Sequence, residues 1–142
     1  MHTEVDDLTR PVVHELLREH LANMYELSPA DEVFALDLSK LRAPNITFWT
    51  VWDEGALLGC GALKELTPKH GEVKSMRTPA NAGRKGAGRA VLAQIIRTAR
   101  ERDYELLSLE TGSHSAFQVA QSLYRSFGFE HSEPFAELQG RP

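Results

Sequence analysis

The chain has 142 residues, 42% of them hydrophobic and 25% charged, with a formal net charge of −4. That is one ordinary domain with a single core, and its acidic balance excludes a general nucleic-acid surface, which needs a basic face. No apolar run reaches the about 18 residues of a membrane-spanning helix, the acidic start lacks a leader's apolar core, and the lone Cys60 excludes an internal disulfide, so a cytoplasmic location is expected.

Residues 1–7 read as a short edge strand. Thr9 as N-cap and Pro11 in the first turn open a helix, and the stripe Val12, Val13, Leu16, Leu17, Leu21 carries it to about Tyr25. Ser28-Pro29-Ala30-Asp31 opens a second helix through Val33 and Leu36. Ile46 to Asp53 is rich in β-formers, Glu54-Gly55 turns the chain, and residues 56–66 return as a second strand. Residues 72–77 alternate as a third strand, so the middle of the chain is an antiparallel meander. Trp49 and Trp52, three apart, point to opposite faces of the sheet. One suits the core and the other an acceptor cleft or a dimer surface.

Val91, Leu92, Ile95, Ile96 and Ala99 then mark one face of a helix from about 86 to 102. Residues 104–109 form a buried strand. Residues 116–127 form another amphipathic helix, with Phe117, Ala120, Leu123, Tyr124 and Phe127 inward and Gly128 at its C-terminal stop. Phe129 onward reads as a strand broken by Pro134. A strand, a helix and a second strand of these lengths are normally parallel. The predicted fold is a mixed α/β (α+β) sheet with flanking helices.

The most informative stretch is Met76 to Arg97. A strand end runs into a basic glycine-rich loop, Arg84-Lys85-Gly86-Ala87-Gly88-Arg89, and then a helix. Two glycines let backbone N–H groups converge, and the helix aims its positive dipole end at the same point. The pattern suits a phosphate or pyrophosphate. It also suits a solvated basic turn. It is not a Walker loop, because Lys85 precedes Gly86 and no Ser or Thr follows to hold magnesium, and Val91 stands where a dinucleotide fingerprint needs a small residue.

The same six residues resemble the Arg/Gln-x-x-Gly-x-Gly/Ala motif of the N-acetyltransferase (GNAT) family. Leu123-Tyr124-Arg125-Ser126-Phe127-Gly128-Phe129 resembles the second signature, Leu-Tyr-x-x-x-Gly-Phe. The match covers roughly residues 46–131, and stretches such as GCGALKEL and LETGS resemble the small, single-domain YsnE-type bacterial members. The resemblance implies one N-acetyltransferase domain over 1–142. Residues 1–45 would supply an N-terminal strand and acceptor-side helices, and 46–131 the acetyl-CoA-binding core. It implies a mostly antiparallel sheet with a splayed parallel pair, here 72–77 and 104–110. Acetyl-CoA would be the acetyl donor. Its pyrophosphate would lie on Arg84, Lys85, Gly86, Ala87, Gly88 and Arg89, and its pantetheine along the backbone of Met76, Arg77 and Thr78. The implied reaction is direct transfer to a primary amine, of a small molecule rather than a peptide, in a ternary complex. A non-catalytic acyl-CoA-binding or regulatory domain is the alternative. His20, Tyr25 and Phe34 lie where the family builds acceptor specificity.

Such transfer needs an amine without its proton, a stabilised carbonyl oxygen and a protonated leaving thiolate. Deprotonating an alkyl amine at pH 7 costs about 4 kcal/mol without help. Glu72, Glu110 and Glu65, each at a strand end, are candidate bases or ordinary solvated carboxylates; family bases often lie on the strand of Glu72. Tyr124 matches the family's general acid and equally suits a core aromatic. Met76 reads as a core residue. Ser115 suits a helix cap, and His114 an exposed loop or the acceptor. Cys60, in an apolar strand, reads as an inert thiol, and no spacing suggests a metal. The family adds a strand after the Gly-Phe segment, and little chain remains here for it. The sheet is therefore expected to be one strand short, or to have that edge covered by a second copy, which makes a homodimer one expected assembly.

Overall fold

In the computed structural model, which describes residues 1–25, 31–78, 86–110, 123–132 and 137–140, the chain builds one seven-stranded mixed sheet. The strands are β1 (His2–Val5), β2 (Ile46–Asp53), β3 (Ala56–Thr67), β4 (His70–Arg77), β5 (Leu106–Glu110), β6 (Glu130–Ser132) and β7 (Glu137–Gly140). Their order is β1-β2-β3-β4-β5-β7-β6. β4 and β5 are parallel, and the other neighbouring pairs are antiparallel. The helices are α1 (Pro11–Tyr25), α2 (Asp31–Leu41) and α3 (Ala87–Glu101), and residues 123–126 are also helical. Among the described residues no helix is long and apolar enough to cross a membrane.

The meander forms because β2 is dense in β-branched and aromatic residues. Glu54 and Gly55 both hold positive φ, 49° and 80°, which matches a tight two-residue hairpin turn. Each face of the sheet has its own core. On one side Val91, Leu92, Ile95, Ile96 and Ala99 of α3 pack with Trp49, Val51, Leu63 and Val73. On the other, Val13, Leu16, Leu17 and Leu21 of α1 and Phe34 and Leu38 of α2 pack with Phe48, Trp52, Cys60 and Ala62. Trp49 and Trp52 thus face opposite cores, as their spacing predicts, and both are buried. Trp52 lies under the Arg10 guanidinium, 4.5 Å from the ring centroid.

Two expectations are corrected. The chain does complete its sheet: β6 and β7 pair as a hairpin, and β7 lies along β5 from Leu107 to Glu110. Three- and four-residue strands suffice, so that edge gives no reason for a second copy of the chain. Thr9 does not cap α1. The Arg10 carbonyl accepts the first helical bonds, from Val13 and His14, while the Thr9 hydroxyl and N–H go to the Asp7 carboxylate. Asp6 and Asp7 claim the local donors before the helix starts. Boundaries also shift: β4 begins at His70 and β5 at Leu106. The opening Ser28-Pro29-Ala30, residues 111–122 with His114 and Ser115, and Pro134 lie outside the described residues.

Candidate active site

α3 begins with its backbone donors uncovered. Gly86 precedes it at φ 83°, in the left-handed region, and no side chain caps the helix. The Gly86 carbonyl accepts from Ala90 at 3.0 Å, but the N–H groups of the first turn have no acceptor within the helix. A helix start of this kind binds anions. Arg84 and Lys85, expected beside it, lie outside the described residues. The second glycine also meets a packing demand. A Cβ on Gly88 would come within 3.1 Å of the Leu123 side chain, so Gly88 lets the segment carrying the second signature dock on α3. Arg89 turns the same way, its guanidinium 3.3 Å from Ser126 Oγ and 4.9 Å from the Phe127 ring centroid. Ala87 is buried against the sheet.

Among the described residues, β4 and β5 pair only over three rungs. The parallel ladder joins His70 to Leu106, Gly71 to Leu107 and Glu72 to Ser108, and stops. Beyond Glu72, among the described residues, no ladder pairs β4 with β5, and β5 turns its other edge to β7. A bulge bends β4 where this happens. Cys60 pairs with Arg77 and Ala62 with Lys74, so three residue steps on β4 face two on β3, and Ser75 takes φ 54°. The backbone of Met76, Arg77 and Thr78 therefore follows a bulge beyond the end of that ladder, where preorganised N–H donors suit an acyl carbonyl. Met76 packs against the α3-side core, as its pattern predicts.

Glu72 stands on the last rung of the parallel ladder, 22% exposed, with Lys74 Nζ 3.5 Å from its carboxylate. Glu65 is elsewhere: its carboxylate accepts the Tyr104 hydroxyl at 2.7 Å, and the Tyr104 ring packs in the α3-side core. The backbone of Glu110 ends β5 as expected, and its side chain lies outside the described residues. Tyr124 is 6% exposed, edge-on to Phe129 at 6.0 Å, and burial pushes its phenol up to about 12. It thus keeps its proton at neutral pH, as a general acid must. The turn after it is closed by Gly128 at φ 94° and by the bond from Phe129 N–H to the Tyr124 carbonyl.

Sequence reasoning missed the polar contacts from the far side of β4. Arg77 donates to Glu19 of α1 at 2.7 Å. Burial first, and the Arg77 charge second, bring the neighbouring His20 down to about 4, so that imidazole is neutral. His70 and Ser108 meet across the parallel pair at 2.8 Å. No local pattern signalled that pair, since the predicted third strand begins only at residue 72 while β4 begins at His70. Phe34 packs in the core, with Arg18 4.0 Å over its ring, and the Tyr25 side chain lies outside the described residues. Burial pushes the Cys60 thiol up to about 12, which makes it a poor nucleophile. No metal-binding cluster occurs among the described residues.

Residues 11–129 match the model of the Acetyltransferase (GNAT) family. The chain is 54% identical over 142 residues to the uncharacterized N-acetyltransferase YsnE of Bacillus subtilis, covering all of this chain and 94% of that one. It is 45% identical over 139 residues to the uncharacterized N-acetyltransferase YedL of Escherichia coli, covering 98% and 87% of the two chains. Its fold is shared with the PaiA N-acetyltransferase of Thermoplasma acidophilum, solved in complex with coenzyme A, at a TM-score of 0.73 and 15% identity over the whole of both chains.

Proposed function

The chain belongs to the GNAT acetyltransferase family and is an acyltransferase, and on that premise we propose that it moves an acetyl group from acetyl-CoA directly to a primary amine of a small molecule. The observation that carries this reading is the position of Glu72 at the point where the parallel ladder ends and the proposed cleft between β4 and β5 begins. Residues 46–131 form the donor side and residues 1–45 the acceptor side, and the reaction takes place in the cytoplasm. The uncapped start of α3, with Gly86, Ala87 and Gly88 and the adjoining Arg84, Lys85 and Arg89, takes the pyrophosphate. The backbone of Met76, Arg77 and Thr78 lines the pantetheine arm. The complex of a fold relative with coenzyme A supports this donor.

In the reaction Glu72 accepts the amine proton, directly or through one water, with Glu110 the second carboxylate at the cleft. The amine nitrogen then bonds to the acetyl carbon, the carbon–sulfur bond breaks, Tyr124 protonates the leaving thiolate, and the second proton shed by the nitrogen restores the Tyr124 phenol. Removing the proton at Glu72 meets the about 4 kcal/mol that a protonated amine imposes at pH 7. Cys60 is too deeply buried to form an acyl-enzyme.

Thermal unfolding with acetyl-CoA, CoA, ATP and NAD in separate samples tests the donor. A ligand at 100 times its dissociation constant stabilises the native state by about 2.7 kcal/mol, a rise of roughly 5–10 °C for a domain of this size. Acetyl-CoA and CoA should both give it, and ATP and NAD should not. An unfolding curve unmoved by acetyl-CoA would overturn the proposal.

A further inference from the structure

Glu72 must hand on each proton it takes, and the sheet places a second titratable side chain beside it. Gly71 turns toward Leu63 and the Tyr104 ring, where a Cβ would approach both to 2.8 Å. Its neighbours His70 and Glu72 therefore share the opposite face. Ser108 lies on that face too, because Leu107 and Leu109 enter the α3-side core. Ser108 is 2% exposed, is the register partner of Glu72, and meets His70 Nε2 through its hydroxyl at 2.8 Å. The hydroxyl engages the imidazole through Nε2, and Nδ1 is the nitrogen through which the ring would exchange protons. Residues two apart on one strand face lie about 7 Å from Cα to Cα, so one water spans their side chains. Among the described residues, the cations beside Glu72 are Lys74 and Lys64, the register partner of Glu72 on β3, and neither accepts a proton in its charged form.

We infer that His70, held by Ser108, relays the proton from Glu72 to solvent during acetyl transfer. The inference rests on the acetyl-transfer reading above. The proton passes from the ammonium to the Glu72 carboxylate, then through water to the imidazole, then to bulk water, and nothing is oxidised or reduced. His70 touches no substrate and acts through Glu72.

The test measures turnover of the full chain with a primary amine for the wild type, His70→Gln, Ser108→Ala and Glu72→Gln, with and without added imidazole. His70→Gln and Ser108→Ala should each lower kcat by about tenfold or more, while the thermal shift given by acetyl-CoA stays that of the wild type. Imidazole in solution should restore turnover to His70→Gln and not to Glu72→Gln. Wild-type turnover in both His70→Gln and Ser108→Ala would overturn the relay. So would a loss that imidazole does not relieve and that comes with a smaller acetyl-CoA shift, the mark of a purely structural clamp. Ser108→Ala carries the test should His70→Gln not fold. A wild type that acetylates no amine would overturn the acetyl-transfer reading itself, a result distinct from an active wild type matched by its variants.

Discussion

At the scale of single residues, the proposed chemistry rests on one partly buried carboxylate, Glu72, beside several buried neutral groups. Glu72→Gln should lower kcat by roughly 100-fold or more without weakening acetyl-CoA, and Tyr124→Phe should lower it by about tenfold to 100-fold, since each removes one proton-transfer partner; steady-state kinetics paired with thermal shifts separate the two effects. The buried groups set the pH limits of stability. His20 is lowered from 6.5 to about 4 in the fold, so the unfolded chain takes up its proton first on acidification. Its contribution is present above pH 6.5 and is lost as pH falls toward 4, on the order of 3 kcal/mol in all. A His20→Gln chain should show a flatter melting temperature over that range. Cys60 and Tyr124 are raised, from 9.0 and 10.0 to about 12 each. Their contributions are whole below pH 9 and are lost between pH 9 and 12, and Cys60→Ala should remove the part that begins near pH 9. The positions of Glu72 and Tyr124 were legible, the first from the alternation of its strand and the second from the Leu-Tyr-x-x-x-Gly-Phe signature. The pairings of His70 with Ser108 and of Arg77 with Glu19 were not, because each joins residues at least 38 positions apart that only the sheet and α1 bring together.

At the scale of elements, the proposed cleft depends on where two strands stop pairing. Gly71 stands one rung before that point, filled on one side by Leu63 and Tyr104. Gly71→Ala should cost about 1–3 kcal/mol by overpacking, read as a lower denaturant midpoint. Gly86 has open space around it yet holds φ 83°, so Gly86→Ala should strain the start of α3 by about 1 kcal/mol and weaken acetyl-CoA binding. The meander and α3 were legible because period-two and helical stripes are local signals. The β4 bulge was not, since Ser75 carries no mark of a positive φ. Neither was the closing hairpin, whose strands are too short to show a pattern and are defined by docking on β5.

Across the whole molecule, the sheet keeps two faces with separate tasks. α3 and the segment 123–129 back one face, with the start of α3 and Tyr124 on that side, while α1 and α2 pack on the other, the face that carries Glu72, Lys74 and His70. On the proposed reading, donor and acceptor approach the end of the parallel ladder from opposite sides. The two cores were foreshadowed by the opposite-facing Trp49 and Trp52, but the acceptor was not legible, because no local pattern in the chain names one. The most direct measurement is mass-spectrometric detection of the acetyl group of isotopically labelled acetyl-CoA on a panel of small primary amines, with the wild type and Glu72→Gln side by side. The account predicts labelled amide and free CoA in equal amounts from the wild type and at least 100-fold less from Glu72→Gln. Labelled amide formed equally by both chains, or by neither, would contradict it.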